Sequence, residues 1–243
     1  MQIDAIHTPR FSEQSRLEDI IAAIGMLETG DVICITTKII SLIEGQRVPV
    51  KDTDKDALIR RQADAYLSPS APYNITLTMT KGALIPSAGI DASNAQDCYI
   101  LYPTDPMTSA QNLWDALHAH YGIDDFGVIL TDSHSTILRR GVTGFALAWA
   151  GFKPFYSYQG RPDIFGRPLG HTMVNIPDSL AGPAVFAMGE GDEQTPIARI
   201  RGAHHVQYIQ TPVAEEDRKL FFVKPEEDIY APILNAVKWQ RED

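Results

Sequence analysis

Cysteine is scarce in this sequence. The two thiols among 243 residues are Cys34, inside an apolar run, and Cys98, at the start of another. They form no Cys-x-x-Cys and no metal-ligand spacing, which excludes a disulfide framework and a zinc cage and reads as buried, reduced thiols of a cytoplasmic protein. Long apolar runs are missing too: the richest stretch, around Phe145 to Phe152, is far too short to span a bilayer. The opening Met-Gln-Ile-Asp-Ala-Ile-His lacks the basic-then-apolar order of a leader, so neither membrane nor export is expected. Positive charge is in short supply, with 21 basic against 31 acidic residues, a formal net charge of −10 and no basic run longer than Arg139-Arg140. Nucleic acid is thereby excluded as a partner, and small polar substrates remain. There is no Gly-x-x-x-x-Gly-Lys-Ser/Thr, and no Gly-x-Gly-x-x-Gly follows a strand; Gly189-Glu-Gly191 alone is weak, which argues against a P-loop or Rossmann protein. No repeat or low-complexity linker divides the chain, so residues 1–243 are expected to form one domain, with 203–243 as a C-terminal appendage.

Apolar periodicity then supplies the elements. Ser15-Arg-Leu-Glu18 fits a capping box for a helix carrying Leu17, Ile20, Ile21, Ile24 and Leu27, stopped by Gly30. Asp31 to Ile40 is β-branched almost throughout and predicts a strand covered on both faces. Asp56 to Leu67 predicts a helix, and the alternation Ile75, Leu77, Met79 against Thr76, Thr78, Thr80 a half-exposed strand. Cys98 to Tyr102 reads as a strand, Ser109 to Tyr121 as a helix ended by Gly122, and Phe126 to Thr131 as a short buried strand. Small residues between Arg139 and Phe152 suit a tightly packed strand or helix. Beyond them come a charged loop at Gly160 to Arg167, a helix from Pro177 that Gly182-Pro183 should interrupt or kink, a strand at Ile197 to Ile200 and a last helix around Ile233 to Trp239. Strands interleaved with helices give an α/β or mixed α+β class with a mixed sheet.

Two stretches carry chemistry: Ser87-Ala-Gly-Ile-Asp-Ala-Ser-Asn94, and Gly127-Val-Ile-Leu-Thr-Asp-Ser133. In each an aspartate stands where a tight turn or an apolar strand gives way to polar residues. Either alone reads best as a turn or helix cap. Together, Asp91, Asp132 and Ser133 offer hard oxygen donors of the kind that hold Mg²⁺ or Mn²⁺ against nucleotide phosphates. Asp132 ranks first, because a strand delivers it to the carboxyl edge where open α/β sheets bind ligands. Thr36, Thr37 and Lys38, at the end of another strand, suit phosphate as well as they suit a lysine snorkelling from the strand. His204-His205 point different ways on a strand and lack a third ligand.

Taken in order, these pieces resemble the coenzyme F420-0:L-glutamate ligase family. The likeness rests on Glu44-Gly45 after a strand containing Thr-Lys, Ala-Gly-Ile-Asp-Ala-Ser-Asn, Asp132-Ser133 followed six residues on by Arg139-Arg-Gly, Gly-x-Pro-Asp-x-Phe-Gly-Arg, and Met-Gly-x before a strand ending Arg-Gly, spanning about Asp31 to Gly202. The resemblance implies a family-specific α/β fold with mixed sheets that forms an intertwined homodimer. It also implies GTP-dependent addition of glutamate to a carboxylate of an F420-0-like acceptor, with Mg²⁺ or Mn²⁺. Residue by residue, it implies Asp91, Asp132, Ser133 and Glu190 as metal ligands, with Thr37, Lys38 and Asn94 at the nucleotide. Asp132 and Arg139 are the expected catalytic residues; Arg139, Arg161 and Arg167 suit a bidentate grip on phosphate or carboxylate.

The sequence also departs from the family. Where the family carries Phe-Gly-Arg-Pro-Trp, this chain has His134-Ser-Thr-Ile-Leu138; a family lysine is replaced by Leu42; and the family's Leu-Pro start of the nucleotide loop survives only as His7-Thr-Pro-Arg10. Other readings therefore stand beside a ligase acting on F420-0 or another small carboxylate: a non-catalytic relative that binds nucleotide or metal, and a metal-dependent phosphohydrolase, for which no water-activating base is evident.

Overall fold

The structure, a computed structural model, describes residues 1–70, 73–95 and 97–242. In chain order the elements are β1 (Gln2–Ile6), α1 (Leu17–Ile24), β2 (Val32–Thr36), α2 (Thr37–Ile43), β3 (Arg47–Pro49), α3 (Lys55–Gln62), β4 (Ala65–Ser70), β5 (Ile75–Thr80) and β6 (Ala83–Pro86). A single 3₁₀ turn, Ser87–Gly89, leads to β7 (Cys98–Ile100), α4 (Pro106–Tyr121), β8 (Gly127–Ser135) and β9 (Val142–Ala150). The chain closes with β10 (Phe155–Ser157), β11 (Met173–Asn175), α5 (Ile176–Met188), β12 (Ile197–Arg201), α6 (Glu215–Phe221) and α7 (Ala231–Leu234).

Mixed pairing organises the main sheet, ordered β1-β12-β2-β8-β9. β12 runs antiparallel to both its neighbours, whereas β2 and β8 are parallel and in register from Val32 against Gly127 to Thr36 against Thr131. That register puts the residues following Thr36 beside those following Thr131, whatever their separation in sequence. Val32 to Ile35 and Val128 to Leu130 are wholly buried, which explains why both strands read as unbroken apolar runs. α5 packs along β9 and crosses β1, β12, β2 and β8, while α4 packs on β8 and β9. Among the described residues three smaller sheets, β4-β5-β6, β3-β7 and β10-β11, complete the mixed α/β fold.

Several boundaries differ from the pattern-based expectation. The expected long strand stops at Thr36, and Thr37 to Ile43 is helical: burial of Ile39 and Ile40 and a hydrogen bond from the Thr37 hydroxyl to the Thr131 carbonyl override the β preference of this β-branched stretch. At α1 the box is shifted by one residue, since the Asp19 carboxylate accepts the Arg16 N–H, and the helix ends at Gly25 rather than near Gly30. α3 begins at its Asp54 cap and ends at Gln62, leaving Ala65 to Leu67 to pair with β5. β8 runs on through Asp132 to Ser135 because β9 pairs back along it, with a register shift between Leu130 and Thr131. α5 continues past Gly182-Pro183 to Met188, and the last helix is the short α7, not Ile233 to Trp239.

In β5 the alternation is present with its sense reversed. Thr78 is 0% exposed, whereas Ile75 is 47% and Leu77 37% exposed. Local hydrogen bonds permit this: the Thr78 hydroxyl donates to the Ile85 carbonyl and accepts from the Ala88 N–H, and Thr80 donates to Thr78. Beyond Gly202 the chain returns to the main body. Phe221 lies 4.4 Å from Trp149 between ring centroids, and Phe222 fills the space over Gly82, where a Cβ would come within 2.4 Å of its ring. Among the described residues no helix is long and apolar enough to cross a membrane.

Candidate active site

The parallel register of β2 and β8 opens a cavity of about 1180 Å³ at the carboxyl ends of those strands. Thr36 and Lys38 enter it from the β2–α2 junction, Asp132 and Ser133 from β8, Asp91 and Asn94 from the loop after the 3₁₀ turn, and Glu190 from the loop after α5. The tight turn before Asp91 is a run of left-handed residues, Ser87 (φ 55°), Ala88 (φ 53°) and Gly89 (φ 69°), held by the Thr78 hydroxyl on the Ala88 N–H. Gly89 is required on two counts, since a Cβ there would also fall 2.1 Å from the Tyr102 ring. Asp91 is fixed through its backbone by the Ile100 N–H, 2.8 Å from its carbonyl.

The two carboxylates are held differently. Asp91 accepts the Ser93 N–H at 2.7 Å, the Ser93 hydroxyl at 2.6 Å and the Lys38 ammonium at 2.6 Å. Burial pulls its carboxyl upward, but those bonds outweigh it and hold the group at about 2. Asp132 accepts the Tyr102 hydroxyl at 2.5 Å and the Ser133 N–H at 2.8 Å. Burial pushes its carboxyl above the ordinary range, the Tyr102 and Ser133 bonds and Lys38 oppose this, and the charge on Asp91 adds to the rise. Ser133 donates loosely to Glu190 at 3.4 Å, and the Asn94 amide donates to the Gly191 carbonyl at 3.2 Å, tying the aspartate loop to the loop after α5.

Among the described residues no three His, Cys, Asp or Glu side chains converge as a metal cage. The donors at hand are carboxylate and hydroxyl oxygens, and Mg²⁺ needs only one or two carboxylates when substrate phosphates supply the remaining ligands. The donor set therefore fits a hard divalent ion that shares its shell with phosphate. Such an ion would also offset the burial that pushes the Asp132 carboxyl up and the smaller repulsion from Asp91.

A profile of the F420-0:Gamma-glutamyl ligase family matches residues 5–202. The chain belongs to this family. Curated relatives agree with the assignment. A protein of Methanopyrus kandleri named coenzyme F420:L-glutamate ligase is 33% identical over 204 residues, covering 76% of this chain and 80% of its own length. Proteins of the same name are 31% identical in Methanocaldococcus jannaschii, over 84% of this chain and 88% of theirs, and 30% identical in Archaeoglobus fulgidus, over 80% and 84%.

Within this member of the F420-0:gamma-glutamyl ligase family, Asp91, Asn94, Lys38, Asp132, Ser133 and Glu190 all meet in one cavity. Two other expected site residues do not join them. Thr37 is turned into the core, its hydroxyl on the Thr131 carbonyl, and Thr36 lines the cavity in its place; the helix starting at Thr37 rotates each side chain away from the alternation of a strand. Arg139 sits in the exposed β8–β9 turn with its guanidinium on the Leu138 carbonyl, outside the cavity lining. Arg161 and Arg167 lie on the β10–β11 loop, also outside that lining, where Arg161 stacks over Tyr156. The divergent stretch His134 to Leu138 likewise contributes nothing to the cavity wall. Sequence reasoning missed Tyr102, which reads as the end of an apolar strand, and Ser93; only the Asp-x-Ser spacing, typical of an Asx turn, signalled the latter.

Proposed function

We propose that this chain is a GTP- and divalent-metal-dependent ligase that joins L-glutamate to a carboxylate of an F420-0-like acceptor through an acyl phosphate. The single observation that carries this reading is the meeting of Asp91, Asn94, Lys38, Asp132, Ser133 and Glu190 in one cavity of a chain belonging to this family. Asp91, Asp132, Ser133 and Glu190 would hold Mg²⁺ or Mn²⁺, whose chemistry there is to neutralise charge on the β- and γ-phosphates. An acceptor carboxylate oxygen attacks the γ-phosphorus and GDP leaves. The glutamate amine then attacks the acyl carbon, phosphate departs and the amine proton passes to solvent. Lys38 gives the phosphates a cation on the cavity wall, and Asn94 holds the loop over them. Because His134 to Leu138 stand clear of the cavity, the departure from the family pattern does not argue for a non-catalytic relative. The same reading has the chain act in the cytoplasm as a homodimer, and the outward apolar row Ile75 and Leu77 on the β4-β5-β6 sheet supports the dimer.

The first test is the thermal midpoint with GTP or ATP, each with and without Mn²⁺, for the native chain and Asp132→Ala. Ligand at a hundred times its dissociation constant adds about 2.7 kcal/mol, a shift of several degrees at this length. A metal-dependent shift lost in Asp132→Ala, followed by phosphate release that needs both glutamate and acceptor, is the expected outcome. Turnover without an amine would make the protein a phosphohydrolase, and binding without turnover a regulator.

A further inference from the structure

We propose that Tyr102 is the positioning residue that sets the spacing and orientation of the two metal-binding aspartates; this rests on the metal-dependent reading above. Its hydroxyl donates to one oxygen of Asp132 at 2.5 Å, while the Ser133 N–H donates to the other at 2.8 Å. With each oxygen anchored, the carboxylate plane cannot rotate, and a lone pair on each oxygen is left for a cation. The hydroxyl end of the same ring also sits on the turn that carries the second aspartate. At Gly89, two residues before Asp91, a Cβ would come within 2.1 Å of the ring and 2.4 Å of the hydroxyl oxygen. Ile85, Phe145 and Leu147 enclose Tyr102 in a small buried cluster, so the ring has no room to follow a displaced carboxylate. Tyr102 is absent from the cavity wall and touches no substrate there. One buried side chain thus contacts both ligand-bearing segments, a loop and a strand 41 positions apart in sequence.

The test uses the full-length chain, with circular dichroism to confirm folding of each variant, and Mn²⁺ alone as probe, its free concentration read by electron paramagnetic resonance. Tyr102→Phe deletes a single oxygen in a site shaped for the ring. It should weaken Mn²⁺ binding about 10–100-fold, the usual consequence of losing a group that orients a metal ligand. In steady state the apparent KM for Mn²⁺ should rise with it while the KM for glutamate stays at the native value, a split that mere destabilisation would not produce. Gly89→Ala, which sets a methyl group into the ring and strains the left-handed turn before Asp91, should show the same loss. Native Mn²⁺ affinity in a folded Tyr102→Phe or Gly89→Ala protein would overturn the proposal. Asp132→Asn separates the two levels of the argument. If the native chain binds no Mn²⁺, or binds it as well after Asp132→Asn, the metal reading itself falls and Tyr102 loses this role; if Asp132→Asn abolishes binding and Tyr102→Phe leaves it intact, only the Tyr102 proposal fails.

Discussion

At the residue scale the site is defined by two carboxylates of opposite disposition. Asp91, close to Lys38, titrates at about 2 against an ordinary value of 3.8. A depressed folded-state value means that this group's contribution to stability is present above the ordinary value and is lost as the pH falls towards about 2. Lys38→Met removes the ammonium that sustains the depression. Thermal midpoints of the two proteins should therefore differ most above about pH 4 and converge as the pH is lowered. A constant difference across that range would show that Lys38 acts through packing alone. Asp91 and Asp132 were both legible from the sequence, because an aspartate at the exit of a strand or tight turn is a recognisable pattern. Their opposite electrostatics were not, since Lys38 reaches Asp91, and the segments that bury Asp132 close over it, from distant parts of the chain.

At the element scale, most of what positions the site is helix ends and strand register. α4 begins where the Asp105 carboxylate accepts the Thr108 N–H at 3.1 Å and the Thr108 hydroxyl at 2.7 Å, followed by Pro106 at the first turn. It ends at Gly122 in the left-handed region (φ 65°). Asp105→Ala should cost about 1 kcal/mol, lowering the thermal midpoint by about 2–4 °C, with no effect on Mn²⁺ affinity. A change in Mn²⁺ binding would mean that α4 is coupled to the cavity. The start of α4 was read at Ser109, three residues late, because Pro106 also suits the close of the preceding strand, but its end at Gly122 was readable from local chemistry. The β2–α2 boundary was not, because Thr37 to Ile43 has the composition of a strand and becomes a helix only by burying Ile39 and Ile40. That one boundary decides that Thr36 and Lys38 face the cavity while Thr37 faces the core.

At the scale of the whole molecule, the outward apolar row of β5 is the feature that bears on assembly. If Ile75 and Leu77 meet a second copy, sedimentation velocity should give a dimer, and Leu77→Lys should convert it to monomer. A native chain that sediments as a monomer at all concentrations would rule out that use of the row. The sequence by itself determined the mixed α/β class, the buried central strands, the C-terminal end of α4 and the candidate aspartates. These follow from residue periodicity and from turn and cap chemistry, which act over a few neighbouring positions. Tertiary structure alone decided which of the candidates meet. The parallel pairing of β2 with β8 sets Lys38 beside Asp132, the return of β9 leaves Arg139 in an exposed turn, and Tyr102 is brought under Asp132 from 30 positions away. It also decided that the threonines of β5 face inward, because their hydroxyls find partners on Ile85 and Ala88 that no linear pattern announces. Long-range hydrogen bonds and burial choose between local alternatives of similar energy, and that choice becomes visible only when distant segments are placed side by side.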